Sequence, residues 1–323
     1  MMPNFSYIRA TSLEEAIRRL SDSGARLHAG GTDLLGCLRG GIFDAGKVVS
    51  ISGLAALRGI KAGADGGMRI GALATLAEVA VHPALRKDYP ALALGAASAA
   101  SPQLRSQGTI GGNLCQRPRC WYFRGDFKCA RKGGDLCYAA HGENERHCIF
   151  GGEICFMVHP SDIAPALVAL EATLRIAGPK GTRSVAADKF FVLPGKDVTR
   201  ETVLEAGEIL TEIILPPAAT GGRGGYFKVR SRGAWDFALA GVASALLVEG
   251  GVVKRARLVL SGVAPVPWRV PAAEKELVGG KLDDVTIARV ATAACSGAEP
   301  LSKNGYKVAL LRGAVESALS KLA

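Results

Sequence analysis

Hydrophobic residues recur with helix or strand spacing along most of the chain. After Ser12, apolar residues occupy the i, i+3, i+4 and i+7 positions of one helix face: Leu13, Ala16, Ile17 and Leu20. Ser12 and Glu15 have the spacing of a capping box, which predicts the start of this helix. The pattern predicts strands at 4–10, 47–52 and 68–73 and a buried strand at 26–29. An Ala-rich helix is predicted over 91–100, followed by a polar loop over 101–108.

The second half of the chain has a similar pattern and then changes character. A helix is predicted over 161–172, and strands are predicted at 173–177, 184–185 and 209–215. The Pro- and Gly-rich stretch 216–222 predicts a domain boundary. Beyond it, consecutive strands are predicted at 225–230, 239–248 and 252–263, and helices at 283–295 and 306–321.

Composition and charge narrow the class of protein. The chain has 323 residues, enough for two or three domains, and 48% hydrophobic residues, enough for a substantial core. A formal charge of +11 predicts an anionic partner or cofactor, or a merely soluble basic surface. The first ten residues do not resemble a signal peptide, and no apolar run is long enough to span a membrane. We therefore expect a cytoplasmic protein without a membrane span, or a periplasmic one if a partner subunit carries an export signal.

Two Gly-Gly turns have the features of phosphate contacts. Gly30-Gly31 follows a predicted strand, and Gly111-Gly112 follows Thr109. Glycine lets a phosphate approach the backbone closely. Neither turn fits the G-x-G-x-x-G dinucleotide pattern or a P-loop, and a plain strand-to-helix turn is an alternative explanation of the first one.

Six of the eight cysteines lie between Cys115 and Cys155, in a stretch that also contains seven Lys or Arg residues. Thiolates are preferred ligands of zinc and of iron–sulfur clusters. The spacings are long and include no Cys-x-x-Cys, so they favour a metal site without naming the metal. Cys37 and Cys295 stand apart and are predicted to be core residues. Cysteines together with +11 also allow a zinc-stabilised basic nucleic-acid-binding protein, although no standard zinc-finger spacing is present.

Three motifs in order resemble a known family. They are 29–35 (Ala-Gly-Gly-Thr-Asp-Leu-Leu), 109–113 (Thr-Ile-Gly-Gly-Asn) and Ser161-Asp162. Together they resemble the FAD-binding subunit of molybdenum hydroxylases, the xanthine dehydrogenase and aldehyde oxidoreductase family. The resemblance implies an α+β fold: a two-lobed FAD-binding domain (a small α/β lobe and a larger α+β lobe), then a C-terminal lobe of antiparallel strands and helices. The implied boundaries are 1–57, 58–218 with an insert at 114–158, and 222–323.

The resemblance also implies the residues that contact FAD. The first phosphate wall is formed by Leu27, His28, Ala29, Gly30, Gly31, Thr32, Asp33, Leu34 and Leu35. The second wall is formed by Thr109, Gly111, Gly112 and Asn113. Gln116 and Asp162 match positions at the adenosine side and pyrophosphate. Ile209 and Leu210 match positions that pack on the flavin or adenine, and Lys228 matches a lysine near the isoalloxazine.

The cysteine insert resembles the version found in periplasmic aldehyde oxidoreductase and in 4-hydroxybenzoyl-CoA reductase, which carries an extra 4Fe-4S cluster. The implied ligands are Cys120, Cys129, Cys137 and Cys155. Cys155 is preferred to Cys148 because it immediately precedes the segment 159–162, where those relatives keep their fourth thiol.

The implied function is that of an oxidoreductase subunit. We expect a molybdenum-cofactor large subunit and a 2Fe-2S small subunit as partners in a heterotrimer, with a ferredoxin-like carrier as a possible acceptor and no nucleic acid. The substrate chemistry belongs to the partner, so no catalytic acid, base or nucleophile is predicted in this chain.

Overall fold

The computed structural model describes residues 2–323, and three β-sheets organise them. The first sheet is parallel and has the order β1–β3–β2. Its elements are β1 (Ser6–Arg9), α1 (Leu13–Leu20), β2 (Ala25–His28), α2 (Leu34–Arg39) and β3 (Lys47–Ser50). The Ser12 hydroxyl caps α1 by accepting from the Glu15 amide at 3.1 Å. The Glu15 carboxylate reaches back to Thr11 instead of Ser12, so the predicted capping box is shifted by one residue on that side.

The second sheet is antiparallel and has the order β4–β5–β8–β6–β7. Its first strands are β4 (Ile60–Ala62) and β5 (Met68–Gly71). A run of helices follows: α3 (Leu76–Val81), α4 (Pro83–Asp88), α5 (Pro90–Ser98), α6 (Pro102–Gln107) and α7 (Ile110–Leu114). The remaining elements are α8 (Trp121–Arg124), α9 (Ala164–Ala169), β6 (Thr173–Gly178), β7 (Gly181–Ala186) and β8 (Ile209–Leu215).

The predicted polar loop over 101–108 is wrong, because α6 occupies most of it. Ser101 caps this helix by accepting from the Leu104 amide at 3.3 Å, and Pro102 takes the first helical position. Both features are visible in the sequence. The helix is short and has no fully buried residue, so it lacks the apolar periodicity that would predict it.

The third sheet is antiparallel and has the order β12–β11–β10–β9. Its elements are β9 (Gly222–Val229), β10 (Ala240–Glu249), β11 (Val252–Ser261), β12 (Trp268–Arg269), α10 (Pro271–Leu277), α11 (Asp284–Ala294) and α12 (Tyr306–Ser320). The three helices share one core with this sheet, which includes Val242, Leu258, Leu277, Val290 and Leu311. Ala91 of α5 and Tyr226 of β9 belong to the core of the second sheet, which joins the two layers.

The segment 114–158 contains little regular structure apart from α8 and two single-turn 3₁₀ helices (Ala130–Lys132 and Tyr138–Ala140). Contacts from distant parts of the chain hold it. The buried Lys307 ammonium donates to the carbonyls of Arg146, His147 and Gly262 at 3.3, 3.0 and 2.7 Å. Asn304 donates to the carbonyls of His147 and Cys148. Within residues 2–323, no helix combines the length and apolar character needed to cross a membrane.

Candidate functional site

A cleft of about 550 Å³ lies between the loops of the first and second sheets. Both Gly-Gly turns line it, at Gly30-Gly31 after β2 and at Gly111-Gly112 in α7. Twelve of the residues predicted to contact FAD line this cleft: Leu27, Ala29, Gly30, Gly31, Thr32, Asp33, Leu34, Thr109, Gly111, Gly112, Gln116 and Leu210. The structure therefore brings together two turns that are about eighty residues apart in the chain.

The four glycines serve different purposes. A Cβ on Gly30 would lie 2.0 Å from the Gln107 carbonyl oxygen, and one on Gly111 would lie 2.9 Å from the Ala72 carbonyl oxygen. These two positions need glycine for backbone packing. Gly31 needs it for its positive φ of 72°. A Cβ on Gly112 would meet only the Thr109 hydroxyl, at 3.0 Å. Gly112 is thus the glycine whose missing side chain leaves space in the cleft.

The first turn presents unused backbone donors to the cleft. Within residues 2–323, no protein acceptor takes a hydrogen bond from the amides of Gly30, Gly31 or Thr32. The amides of the second turn are already used, since Gly111 donates to the Ala72 carbonyl and Gly112 donates to the Thr109 hydroxyl at 3.1 Å. A cleft wall with free N–H donors is suited to an anionic group.

Four of the insert cysteines line one small enclosed space of about 10 Å³: Cys120, Cys129, Cys137 and Cys155. The hydrogen bond from Cys137 lowers the pKa of Cys155 to about 5 against the effect of burial, and the Arg131 guanidinium acts in the same direction. Cys148 does not line this space. It is 1% exposed, and burial raises its pKa to about 12. Among residues 2–323, no group of three or more Cys, His, Asp or Glu side chains is arranged to hold a single metal ion.

Known proteins match this chain over nearly its whole length. Residues 3–218 match the family described as FAD binding domain in molybdopterin dehydrogenase, and residues 225–322 match CO dehydrogenase flavoprotein C-terminal domain. The chain belongs to this family of flavoprotein subunits. The flavoprotein subunit is 36% identical to the aldehyde oxidoreductase FAD-binding subunit PaoB of Escherichia coli, with 99% of this chain and 98% of the relative covered.

Other relatives agree with this assignment. The flavoprotein subunit is 30% identical to the carbon monoxide dehydrogenase medium chain of Hydrogenophaga pseudoflava, with 98% of this chain and 96% of the relative covered. A solved structure of carbon monoxide dehydrogenase from that organism matches with a TM-score of 0.79 at 29% identity, covering 100% of this chain and 98% of the other. These matches confirm the predicted family, the α+β fold and the oxidoreductase class, and they do not favour the nucleic-acid-binding alternative.

Asp33 of the flavoprotein subunit lies at the cleft but its carboxylate is engaged elsewhere. Its Oδ1 pairs with Arg124 Nη2 at 2.7 Å and with Arg119 Nη2 at 2.9 Å, and its Oδ2 accepts from the Arg117 amide at 2.8 Å. Asp33 therefore ties the first Gly-Gly turn to the cysteine insert. Those partners are distant in the chain, so sequence reasoning did not reveal this role.

Asp162 and Lys228 lie outside the cleft, in a buried ion pair with an Nζ–Oδ2 distance of 2.8 Å. Tyr226 donates to the other carboxylate oxygen at 2.8 Å. Burial raises the pKa of Asp162, while Lys228 opposes that rise. The two side chains therefore neutralise each other behind the cleft. The prediction that both contact FAD, Asp162 at the adenosine side or pyrophosphate and Lys228 near the isoalloxazine, stays a prediction.

Asp162 lines a second cavity of about 160 Å³, together with Ser161, Arg119, His147 and Phe237. Asn113 is tied to this region, since its side-chain oxygen accepts from the Ser161 hydroxyl at 2.6 Å.

Other predicted contacts lie behind the cleft wall. His28 contacts the Ser50 hydroxyl at 3.2 Å, and Ile209 is fully buried in the core of the first sheet. Leu35 is also absent from the lining of the cleft.

The cysteine space adjoins both cavities. Arg131 and Phe123 line it as well as the cleft, and Cys120 lines it as well as the second cavity. Arg131 is buried and pairs with Glu201 at 2.8 Å, while its Nε and Nη2 have no hydrogen-bond partner within residues 2–323. Sequence reasoning noted the arginines of the insert but missed Glu201, which also pairs with Arg117 at 3.0 Å.

Proposed function

We propose that this chain is the FAD-binding electron-transfer subunit of a multi-subunit molybdenum hydroxylase, with FAD in the cleft and a 4Fe-4S cluster on Cys120, Cys129, Cys137 and Cys155. It would pass electrons between partner iron–sulfur and molybdenum subunits and an external acceptor. The observation that carries the proposal is the convergence of these four cysteines on one enclosed space beside the cleft. They are spread over 36 positions of a segment with little regular structure, from 120 to 155.

The cleft residues fit the phosphates and rings of FAD. The free amides of Gly30, Gly31 and Thr32 are donors for a pyrophosphate, and the open side of Gly112 leaves room for its approach. Arg26, Arg117 and Lys132 add positive charge to the lining. Apolar walls for a planar ring come from residues such as Ile42, Phe43 and Leu210. The predicted contacts that do not line the cleft, among them His28 and Ile209, would support it from behind.

The lining of the cysteine space supports an iron–sulfur cluster. Four thiols and no histidine or carboxylate line it, which is the donor set of a 4Fe-4S cluster. Four thiolates could also bind zinc, and the iron and zinc contents of the purified protein distinguish the two. The buried Arg131 guanidinium, whose Nε and Nη2 have no hydrogen-bond partner within residues 2–323, supplies countercharge for a negatively charged cluster.

When bound, FAD supplies two-electron chemistry that can also be delivered as single electrons, whereas the cluster supplies one-electron chemistry. The chain contributes position and electrostatics. Arg131 and Phe123 form a thin partition between the cleft and the cysteine space, so the two groups would be held close together. A molybdenum-cofactor subunit and a 2Fe-2S subunit are the proposed partners, because relatives are named as medium chains or FAD-binding subunits. A ferredoxin-like carrier is the proposed acceptor.

Serine substitutions test the cluster assignment. Serine at Cys120, Cys129, Cys137 or Cys155 should lower iron content and remove the paramagnetic signal of the cluster while flavin remains bound. Cys148→Ser is the matched control, because Cys148 is a buried cysteine of the same insert that does not line the space. An essential Cys148 with a dispensable Cys155 would show that the fourth ligand is wrong. A purified protein without flavin and iron–sulfur absorption would refute the whole proposal.

A further inference from the structure

We propose that His147 is a positioning residue for the cluster, whose Nε2–H donates a hydrogen bond to Cys120 Sγ and raises the reduction potential. This inference rests on the proposed function, since it assumes the cluster on the four cysteines. His147 belongs to the insert but was not among the predicted ligands or contacts. It is 3% exposed, and its Nε2 lies 3.2 Å from Cys120 Sγ.

The chemistry of the two groups fixes the direction of this hydrogen bond. A cysteine bound to iron is a thiolate, so its sulfur has no proton to donate. A neutral imidazole carries one N–H and one lone pair, and the nitrogen next to the sulfur must then carry the proton. The other nitrogen, Nδ1, is buried and has no hydrogen-bond partner within residues 2–323. No hydrogen bond therefore fixes the proton on Nδ1, and Cys120 Sγ is the acceptor within hydrogen-bond distance of the ring.

The ring is held in place from two sides. The carbonyl of His147 accepts from Lys307 Nζ at 3.0 Å and from Asn304 Nδ2 at 3.1 Å, which fixes the backbone from the C-terminal lobe. The imidazole packs edge-to-face on Trp121, with 5.6 Å between the ring centroids. Because both backbone and ring are constrained, the donor stays aimed at the sulfur.

A donor at this position favours the more negative state of the cluster. Reduction adds an electron, and hydrogen bonds to the ligand sulfurs stabilise the added charge, which raises the potential. Both Cys120 and His147 line the second cavity, which Asp162 also lines. Cys120, the ligand that accepts the hydrogen bond from His147, therefore lies in the wall between that cavity and the cysteine space.

The test is a redox titration of the iron–sulfur signal in the intact complex. His147→Phe keeps the ring contact with Trp121 and removes the N–H, so the midpoint potential should fall. A tenfold change in the reduction equilibrium is expected, equivalent to about 59 mV for one electron. His147→Gln keeps an N–H donor on a side chain of similar length, so its midpoint potential should be close to that of the parent protein. His141→Phe is the control, because His141 is an exposed histidine of the same insert.

Each outcome separates this inference from the proposed function. A parent protein without any iron–sulfur signal overturns the proposed function, and the inference with it. A parent with a signal whose potential is unchanged in His147→Phe overturns only the role of His147. Equal falls in His147→Phe and His147→Gln also overturn it, since packing would then be the cause. If His147→Phe assembles no cluster, His147→Leu takes its place, because it also lacks the N–H: a potential lower than that of His147→Gln supports the role, and an equal one overturns it.

Discussion

A substitution at Gly112 should weaken flavin binding without preventing the protein from folding. Its φ is not in the left-handed region, and a built Cβ meets only the Thr109 hydroxyl at 3.0 Å, a contact that needs a shift of a few tenths of an ångström. Gly112→Val should therefore fold. Its methyl groups would occupy the cleft and block close approach of a phosphate to the backbone. A hydrogen bond to a charged group contributes about 1.5–3 kcal/mol, so displacing the phosphate from one free amide of the first turn should weaken FAD binding by about tenfold to about 150-fold.

The assay is the flavin-to-protein ratio after purification, followed by the Kd for FAD from flavin fluorescence. Gly36→Val is the matched control, because Gly36 is exposed in α2, outside the cleft, and a Cβ there meets no atom within 4 Å. Gly111→Ala is the opposite control and should impair folding, since its Cβ would lie 2.9 Å from the Ala72 carbonyl oxygen. Full flavin occupancy with an unchanged Kd in Gly112→Val would refute the assignment of this turn.

Three further predictions concern the insert and its partners. Lys307→Met should lower the thermal midpoint and iron content, because it leaves the carbonyls of Arg146 and Gly262 unpaired, at a cost of about 1–3 kcal/mol each where they are buried. The His147 carbonyl keeps its hydrogen bond from Asn304, and removal of a buried charge offsets part of the cost. Exposed Lys275→Met should change neither quantity. Reduction of a ferredoxin-like carrier should slow only modestly with added salt, because Asp33 and Glu201 already neutralise several arginines of the insert. A rate independent of salt would argue against electrostatic steering of the carrier. Purification at native levels should recover a molybdenum subunit and a 2Fe-2S subunit, and substrate oxidation by this chain alone would contradict a purely electron-transferring role.

Local patterns predicted the elements of the fold well where burial is periodic. The strand predicted at 209–215 coincides with β8, and the helix predicted at 306–321 differs from α12 by one residue. Within β8, however, neighbouring side chains point to opposite faces, so Leu210 lines the cleft while Ile209 enters the core of the first sheet. The prediction that both residues pack on the flavin or adenine did not take this alternation into account, and for Ile209 it stays a prediction.

The candidate site was only partly predictable because much of it depends on long-range contacts. The Gly-Gly turns and the cysteines were visible as motifs. The engagement of Asp33 by Arg119 and Arg124, and of Glu201 by Arg117 and Arg131, joins residues about 70 to 91 positions apart. No local spacing encodes such pairs. The domain boundaries at 57 and 218 stay predictions.

The way the insert is anchored bears on whether the proposed cluster would stabilise the structure or carry electrons. Three separate contacts hold the segment: Asp33 in the first lobe, Glu201 in the second and Lys307 in the third. None of these contacts uses a cysteine side chain of the proposed cluster. A loop-rich segment that is already fastened from three lobes does not need a cluster to stay folded. Its cysteines nevertheless converge beside the cleft, behind Arg131 and Phe123. This arrangement favours an electron route, and a variant without the cluster should keep its flavin and its fold.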